Sequence, residues 1–264
     1  MSLVDTHCHL YMLETEYDLD EIIADATNNN IVRIMVPGID LETSLKAIQI
    51  SERFDCVFAS IGYHPNDADK WNKESYDMLF KLAQHPKVKA IGEIGLDFYR
   101  DYVGPETQEK VFLEQLDLAR TLELPVIIHS RNSIFRIIDL LSSFQRENLE
   151  NNLPLLRGVL HSFEGNLEQA YQIIKLNMLI GIAGPVTYKN AQDKHNLAKR
   201  LPVSSILLET DSPFLSPVPL RGKPNKPANV NLIAEKIAFF SEKPLKWISQ
   251  ETTENANKLF AWEQ

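Results

Sequence analysis

Two cysteines, Cys8 and Cys56, are all the thiol chemistry this sequence of 264 residues offers. They cannot make a disulfide framework, and neither sits in a paired Cys-x-x-Cys zinc pattern. Long apolar runs are missing too, so no segment reads as a membrane span. The chain enters a strand pattern almost at once, without the charged stretch, apolar core and cleavage site of a secretory signal. These absences together lead us to expect a cytoplasmic protein. Positive charge is also scarce. The formal net charge of −9 argues against a broad Lys/Arg surface that coats duplex nucleic acid, but not against an enzyme handling one phosphate at a time. Low-complexity linkers, long charge runs and sequence repeats are lacking as well, so one domain over residues 1–264 is expected. What is present is ordinary globular composition, 44% hydrophobic and 24% charged, in a chain long enough to bury a substantial core.

Short β-branched apolar runs alternate with longer helical patterns from end to end. Strands are expected at Leu3–His7, Val32–Val36, Val57–Ile61, Val88–Ile94, Val126–His129, Gly158–His161, Met178–Ile182 and Ile206–Glu209. Helices are expected at Asp20–Asn29, Glu42–Arg53, Lys73–Gln84, Glu106–Leu122, Ser133–Phe144 and Leu167–Leu176. Their apolar residues recur at three- and four-residue spacing, as in Phe112, Leu113, Leu116, Leu118, Ala119 and Leu122. Ala191–Arg200 is a weaker helix, Asn229–Phe240 a stronger one with Asn229 at its N-cap, and Leu245–Phe260 adds further turns. Eight strands, each followed by a helix, fit a (β/α)₈ TIM barrel of the α/β class in number and order. A doubly wound open sheet is the structural alternative.

The chemistry-capable residues cluster at the ends of those strands. Of seven histidines, five lie within or just after a strand: His7, His9, His64, His129 and His161. His85 and His195 fall near helix ends and read as surface residues. In Asp5-Thr6-His7-Cys8-His9 the two histidines are two apart, so on a strand both imidazoles share a face while Cys8 points away. Strand four runs into Glu93 and strand eight into Asp211. In a barrel all eight strand C-termini open on one face, which brings residues 7 and 211 into one pocket. Each residue also has a plain structural reading, Glu93 as a buried acid paired with Arg100 or Asp211 as the shaper of a turn before Pro213. Six such accidents at strand ends are harder to accept than one metal centre. Four imidazoles and two carboxylates exceed one open catalytic zinc and suit two ions bridged by a carboxylate. By ligand softness the imidazoles favour Zn²⁺ or Mn²⁺.

Six stretches carry a specific likeness: Val4-Asp5-Thr6-His7-Cys8-His9-Leu10, Ile61-Gly62-Tyr63-His64-Pro65, Ile91-Gly92-Glu93-Ile94-Gly95-Leu96-Asp97-Phe98-Tyr99, Pro125-Val126-Ile127-Ile128-His129-Ser130-Arg131, Gly158-Val159-Leu160-His161-Ser162-Phe163 and Leu208-Glu209-Thr210-Asp211-Ser212-Pro213-Phe214-Leu215. In this order the chain resembles the TatD family of metal-dependent deoxyribonucleases from residue 3 to about residue 260. The resemblance implies a TIM-barrel metal hydrolase, with His7, His9, Glu93, His129, His161 and Asp211 as ligands of two divalent ions. It implies Glu93 as the bridge, Asp211 as the base that orients and deprotonates water, and His64 as a contact to substrate phosphate. It also implies Mg²⁺ or Mn²⁺ dependence, 3′→5′ exonuclease action on DNA or RNA, and a part in DNA repair. Asn132 stands where many relatives have Asp, and Ser162-Phe163-Glu164-Gly165 departs from their Phe-Thr/Ser-Gly, but neither touches a ligand position.

The proline-rich stretch after strand eight also carries Arg221, Lys223 and Lys226. It reads either as a basic rim holding the substrate backbone or as a solvated connector. A similar Arg-Gly-Lys in the family leans Arg221 toward substrate. The expected partner is a nucleic-acid end, with no membrane, no broad duplex surface, and a monomer or weak oligomer. On the same dinuclear site a D-aminoacyl-tRNA deacylase, or another ester or amide hydrolase, is the competing activity. A non-catalytic barrel would show a lost ligand, and none is lost.

Overall fold

A computed structural model describes residues 2–262, so Met1, Glu263 and Gln264 of the expected domain lie outside the described residues. Eight parallel strands pair strictly in chain order. They are β1 (Leu3–Asp5), β2 (Ile31–Pro37), β3 (Val57–Ile61), β4 (Val88–Asp97), β5 (Val126–Arg131), β6 (Gly158–Leu160), β7 (Met178–Ile182) and β8 (Ile206–Leu208). The seam between β8 and β1 is closed by Thr6 N–H to Leu208 O at 3.0 Å, Asp211 N–H to His7 O at 2.8 Å and His9 N–H to Ser212 O at 2.8 Å. The sheet is therefore a TIM barrel rather than an open doubly wound sheet.

The helices are α1 (Leu10–Leu13), α2 (Leu19–Asn28), α3 (Leu41–Arg53), α4 (Lys73–Leu82), α5 (Pro105–Thr121), α6 (Ile134–Glu150), α7 (Leu167–Lys175), α8 (Gln192–Arg200), α9 (Val230–Ser241) and α10 (Leu245–Phe260). Local chemistry sets their starts. Asp40 and Thr43 form a reciprocal capping box at α3, as Asn166 and Gln169 do at α7. Asn229 precedes α9 as expected, yet its side chain makes no cap there and donates to Asn225 Oδ1 instead. The short elements were not legible in the sequence: α1, and 3₁₀ turns over Pro65–Lys70, Gly184–Thr187, Val203–Ser205 and Pro227–Asn229.

One side chain from every strand packs inside the barrel: Val4, Met35, Phe58, Ala90, Ile127, Val159, Leu179 and Leu207. The end of α10 and the residues after it close the floor with Ala256, Leu259, Phe260 and Trp262. Outside, Leu3, Ile34, Val57, Ile61, Ile91 and Ile128 pack against the helices in a separate, larger cluster. Each fully buried side chain of this kind contributes about 1.5–3 kcal/mol relative to exposure. Stability thus resides in the floor and the outer layer, which leaves the strand C-termini free to carry polar groups.

Several strand ends differ from expectation. β1 stops at Asp5, not His7, because the chain there leaves the ladder; Cys8 N–H reaches back to Met35 O and Cys8 bridges Ser212. β4 runs on to Asp97, since Leu96 and Asp97 pair with Ser130 and Arg131. His195 is not the surface residue expected from its position. It is half-buried in α8, its ring 4.3 Å from that of Phe240 and its Nε2 3.0 Å from Tyr188 O. His85 is likewise half-buried, 3.1 Å from Glu52.

Candidate metal centre

His7 and His9 lie just past β1, yet they share a face as the two-residue spacing requires, because His7 O and His9 N–H are both tied to the chain beyond β8. Asp211 is held there in a left-handed backbone conformation, φ 57°, one that aspartate tolerates better than most residues. Glu93 enters where the pairing of β4 with β5 shifts register between Ile91 and Ile94. Its N–H finds Gly38 O at 2.8 Å instead of a ladder partner. Two residues on, Gly95 has φ 141°, and a Cβ there would lie 2.0 Å from His129 O. Only glycine lets β4 approach β5 this closely and bring Glu93 to His129.

Glu93 is the hub. Its Oε2 faces His7 Nε2 at 3.3 Å and His9 Nε2 at 3.8 Å. Its Oε1 faces His129 Nδ1 at 2.8 Å, His161 Nε2 at 3.0 Å and His64 Nε2 at 3.7 Å. Asp211 Oδ1 completes the first half, 3.8 Å from His7 Nε2 and 3.5 Å from His9 Nε2. Within each half the imidazole nitrogens close on each other, His7 and His9 at 3.2 Å, His129 and His161 at 3.1 Å. Two donors each about 2.1 Å from one ion, at right or tetrahedral angles, lie roughly 3.0–3.4 Å apart. The donor set therefore fits divalent cations in two adjoining places. The alternative pairing of Glu93 with Arg100 is not formed: the ion-pair partners of Glu93 are histidines.

The electrostatics of the cluster follow from burying so many ionisable groups. Burial opposes the charge on Glu93, but His161 and His7 outweigh it and hold the carboxyl well below its usual range. Asp211 is lowered likewise, burial being overcome by His9, His161 and His7. Burial also works against a charged His161, yet Glu93 lifts it to about 10. His7 goes the other way, to about 4, through burial and the neighbouring His161. In the cation-free cluster a proton on His161 thus balances Glu93. A divalent ion must displace that proton, so cation affinity should rise about tenfold per pH unit below pH 10 for each proton released. Calorimetry of Mn²⁺ binding at pH 6, 7 and 8, in buffers of different ionisation enthalpy, should show release of at least one proton. Binding that ignores pH would contradict this balance.

His64 closes one side of the cleft. Its Nδ1 accepts from Asn66 N–H at 3.1 Å, and burial, reinforced by His129, drives its pKa to about 3. It is therefore neutral with its proton on Nε2, aimed at the cleft as a hydrogen-bond donor. Arg221 is not in the wall of this cleft; it lies over the Tyr188 ring at 4.3 Å.

Three residues around the histidines were not assigned a role from sequence. Tyr11 Oη meets His9 Nδ1 at 2.8 Å, Asp97 Oδ2 lies 3.5 Å from His129 Nε2, and Glu209 Oε1 lies 3.8 Å from His161 Nδ1. Of these only Tyr11 is hydrogen-bonded to its imidazole, which is how such a partner fixes ring orientation and tautomer. The carboxylates of Asp97 and Glu209 face ring nitrogens that have no hydrogen-bond partner and act on them as nearby negative charge. Glu209 is wholly buried, accepts from Ser162 N–H, and is covered by Gly181, whose absent Cβ would sit 2.5 Å from the carboxylate. Glu209→Gln should lower cation affinity by about 10–100-fold, the usual cost of losing an outer partner, with the fold intact by circular dichroism. Unchanged affinity would mean that Glu209 serves packing alone. For Asp97 a signal was available, since it lies four residues from Glu93 within β4; Glu209 lies beyond the end of β8, where strand periodicity gives no guide.

The chain matches the TatD related DNase family over residues 4–261. It is 38% identical over 258 residues to an uncharacterised metal-dependent hydrolase, YabD, of Bacillus subtilis, with 98% of each chain covered. It is 32% identical over 248 residues to the 3′-5′ ssDNA/RNA exonuclease TatD of Citrobacter koseri, covering 92% of this chain and 93% of that one. The crystal structure of YjjV, a TatD homolog from Escherichia coli, superposes with a TM-score of 0.89 at 31% identity, covering 98% of both chains.

Proposed function

The chain belongs to the TatD related DNase family and is a metal-dependent hydrolase, and from that premise we propose that it cleaves phosphodiester bonds at nucleic-acid 3′ ends with two divalent ions. The observation that carries this is the division of donors by Glu93, one carboxylate oxygen toward His7 and His9, which also face Asp211, and the other toward His129 and His161. Ions bound there would lower the pKa of a water and offset charge on the phosphate oxygens. The protein supplies the rest. Asp211 is ionised at neutral pH and accepts the proton of the attacking water. His64 donates from Nε2 to a non-bridging phosphate oxygen. Glu93 holds the two halves at a fixed separation, Tyr11 fixes His9, and Asp97 and Glu209 place negative charge beside His129 and His161. The exonuclease name of the Citrobacter relative supports a nucleic-acid substrate.

The test is a turnover screen of metal-stripped protein against single-stranded DNA, RNA and D-aminoacyl-tRNA, with Mg²⁺, Mn²⁺ or Zn²⁺ restored in turn. Release of 3′-terminal nucleotides is the expected result. Deacylation without phosphodiester cleavage would transfer the same site to the acyl reaction.

A further inference from the structure

The wall of the cleft at the metal centre carries two arginines alongside Asp67, Glu93, Asp97 and Asp211. Arg100 and Arg131 both line it, and among the described residues neither makes an ion pair with a carboxylate within 4.0 Å. Each lies beside a tyrosine instead. The Arg131 guanidinium is 4.0 Å from the centre of the Tyr99 ring, and that of Arg100 is 5.9 Å from Tyr102. Both rings are exposed, Tyr99 at 62% and Tyr102 at 71%. Phe214, half exposed, lines the same cleft from the β8 side. Tyr102 and Phe214 thus line a cleft of about 510 Å³ with apolar faces left in water, and Tyr99 adjoins it through Arg131. Unpaired arginines among them are free to meet anions. His129 and Arg131 are two apart on β5, so the strand that presents a candidate ligand presents a cation on the same face.

We propose that Tyr99, Arg100, Tyr102 and Arg131 form a stacking clamp for the unpaired nucleotides just upstream of the scissile phosphate. Bases stack on the tyrosine rings while the two arginines hold the intervening phosphates. Aromatic rings beside cations are the pair of groups that engage the bases and phosphates of a single strand, and stacking requires bases free of a complementary partner. The clamp thus explains how a protein with net charge −9 would engage nucleic acid: a few contacts concentrated at the site, without a basic track. This proposal rests on the phosphodiesterase reading above and adds to it the residues that select single-stranded ends.

The experiment compares two substrates with the metal-loaded enzyme. One is single-stranded decathymidylate; the other has the same length and charge but is abasic at every position except the 3′-terminal nucleotide. Wild-type kcat/KM for removing the 3′ nucleotide should be about 5–100-fold higher on the first, as stacking on aromatic side chains predicts. In Tyr99→Ala/Tyr102→Ala this preference should collapse, with the loss in KM rather than kcat. Arg100→Ala/Arg131→Ala should weaken KM on both substrates alike. Equal wild-type kcat/KM on the two substrates, or a preference that survives the double tyrosine substitution, would overturn the clamp and leave the phosphodiesterase reading standing. Cleavage of neither substrate would overturn both.

Discussion

Asp211→Asn is expected to lower kcat by about 10²-fold or more at saturating cation, while thermal unfolding stays near wild type. A positioned general base contributes roughly 10²–10⁴-fold, and the amide keeps the shape and one coordinating oxygen but removes the basic site. The geometry makes this separable from a folding defect. Asp211 N–H is tied to His7 O at 2.8 Å, a backbone bond that the substitution does not touch. The fold around it is further pinned by Asn225, whose amide donates to Thr210 O at 2.9 Å. Asp5 accepts from both Thr210 N–H and Thr210 Oγ1. Burial raises Asp5 to about 8. Near wild-type turnover by Asp211→Asn with cations bound would mean that another group accepts the proton.

Glu93→Gln should be costlier for the centre as a whole. Glu93 uses both oxygens, Oε2 toward His7 and His9 and Oε1 toward His129 and His161. An amide offers one oxygen, no charge, and an NH₂ that repels a cation. The half containing His129 and His161 would keep two imidazoles and lose its carboxylate. Its cation affinity should fall by more than the 10–100-fold typical of losing an outer partner. Turnover should fall by at least the factor expected for Asp211→Asn, because both the separation and the charge of the two halves depend on this one side chain. Elemental analysis after dialysis should show fewer than two bound ions per chain. Full occupancy in Glu93→Gln would remove Glu93 from the bridging role.

Much of this centre could be read before the structure, for a physical reason. Barrel closure puts all eight strand C-termini on one face, so His7, His9, Glu93, His129, His161 and Asp211, at or just past strand ends, converge once eight parallel strands are recognised. Strand parity would have placed Asp97 and Arg131 in the pocket, since they lie an even number of residues from Glu93 and His129. What could not be read is what loops decide. Tyr11 reaches His9 only because α1 turns the chain at Leu10, and that short helix carries no periodic signal. Tyr102 reaches the cleft on the connection between β4 and α5, whose path no spacing rule fixes. Arg221 stood in a basic, proline-rich stretch that suggested a substrate rim, and the path of that stretch puts it over Tyr188 and outside the wall of the cleft, which no spacing rule could tell. His195 looked exposed because α8 has few apolar positions, yet Phe240 of α9 covers its ring.

The most direct test of the central proposal is anomalous diffraction from crystals loaded with Mn²⁺. Two peaks about 3.5–4 Å apart are predicted. One should lie among His7, His9, Asp211 and Glu93 Oε2, and the other among His129, His161 and Glu93 Oε1. A single peak that leaves Glu93 in contact with only one half, or manganese bound away from these six residues, would contradict the bridged two-ion centre.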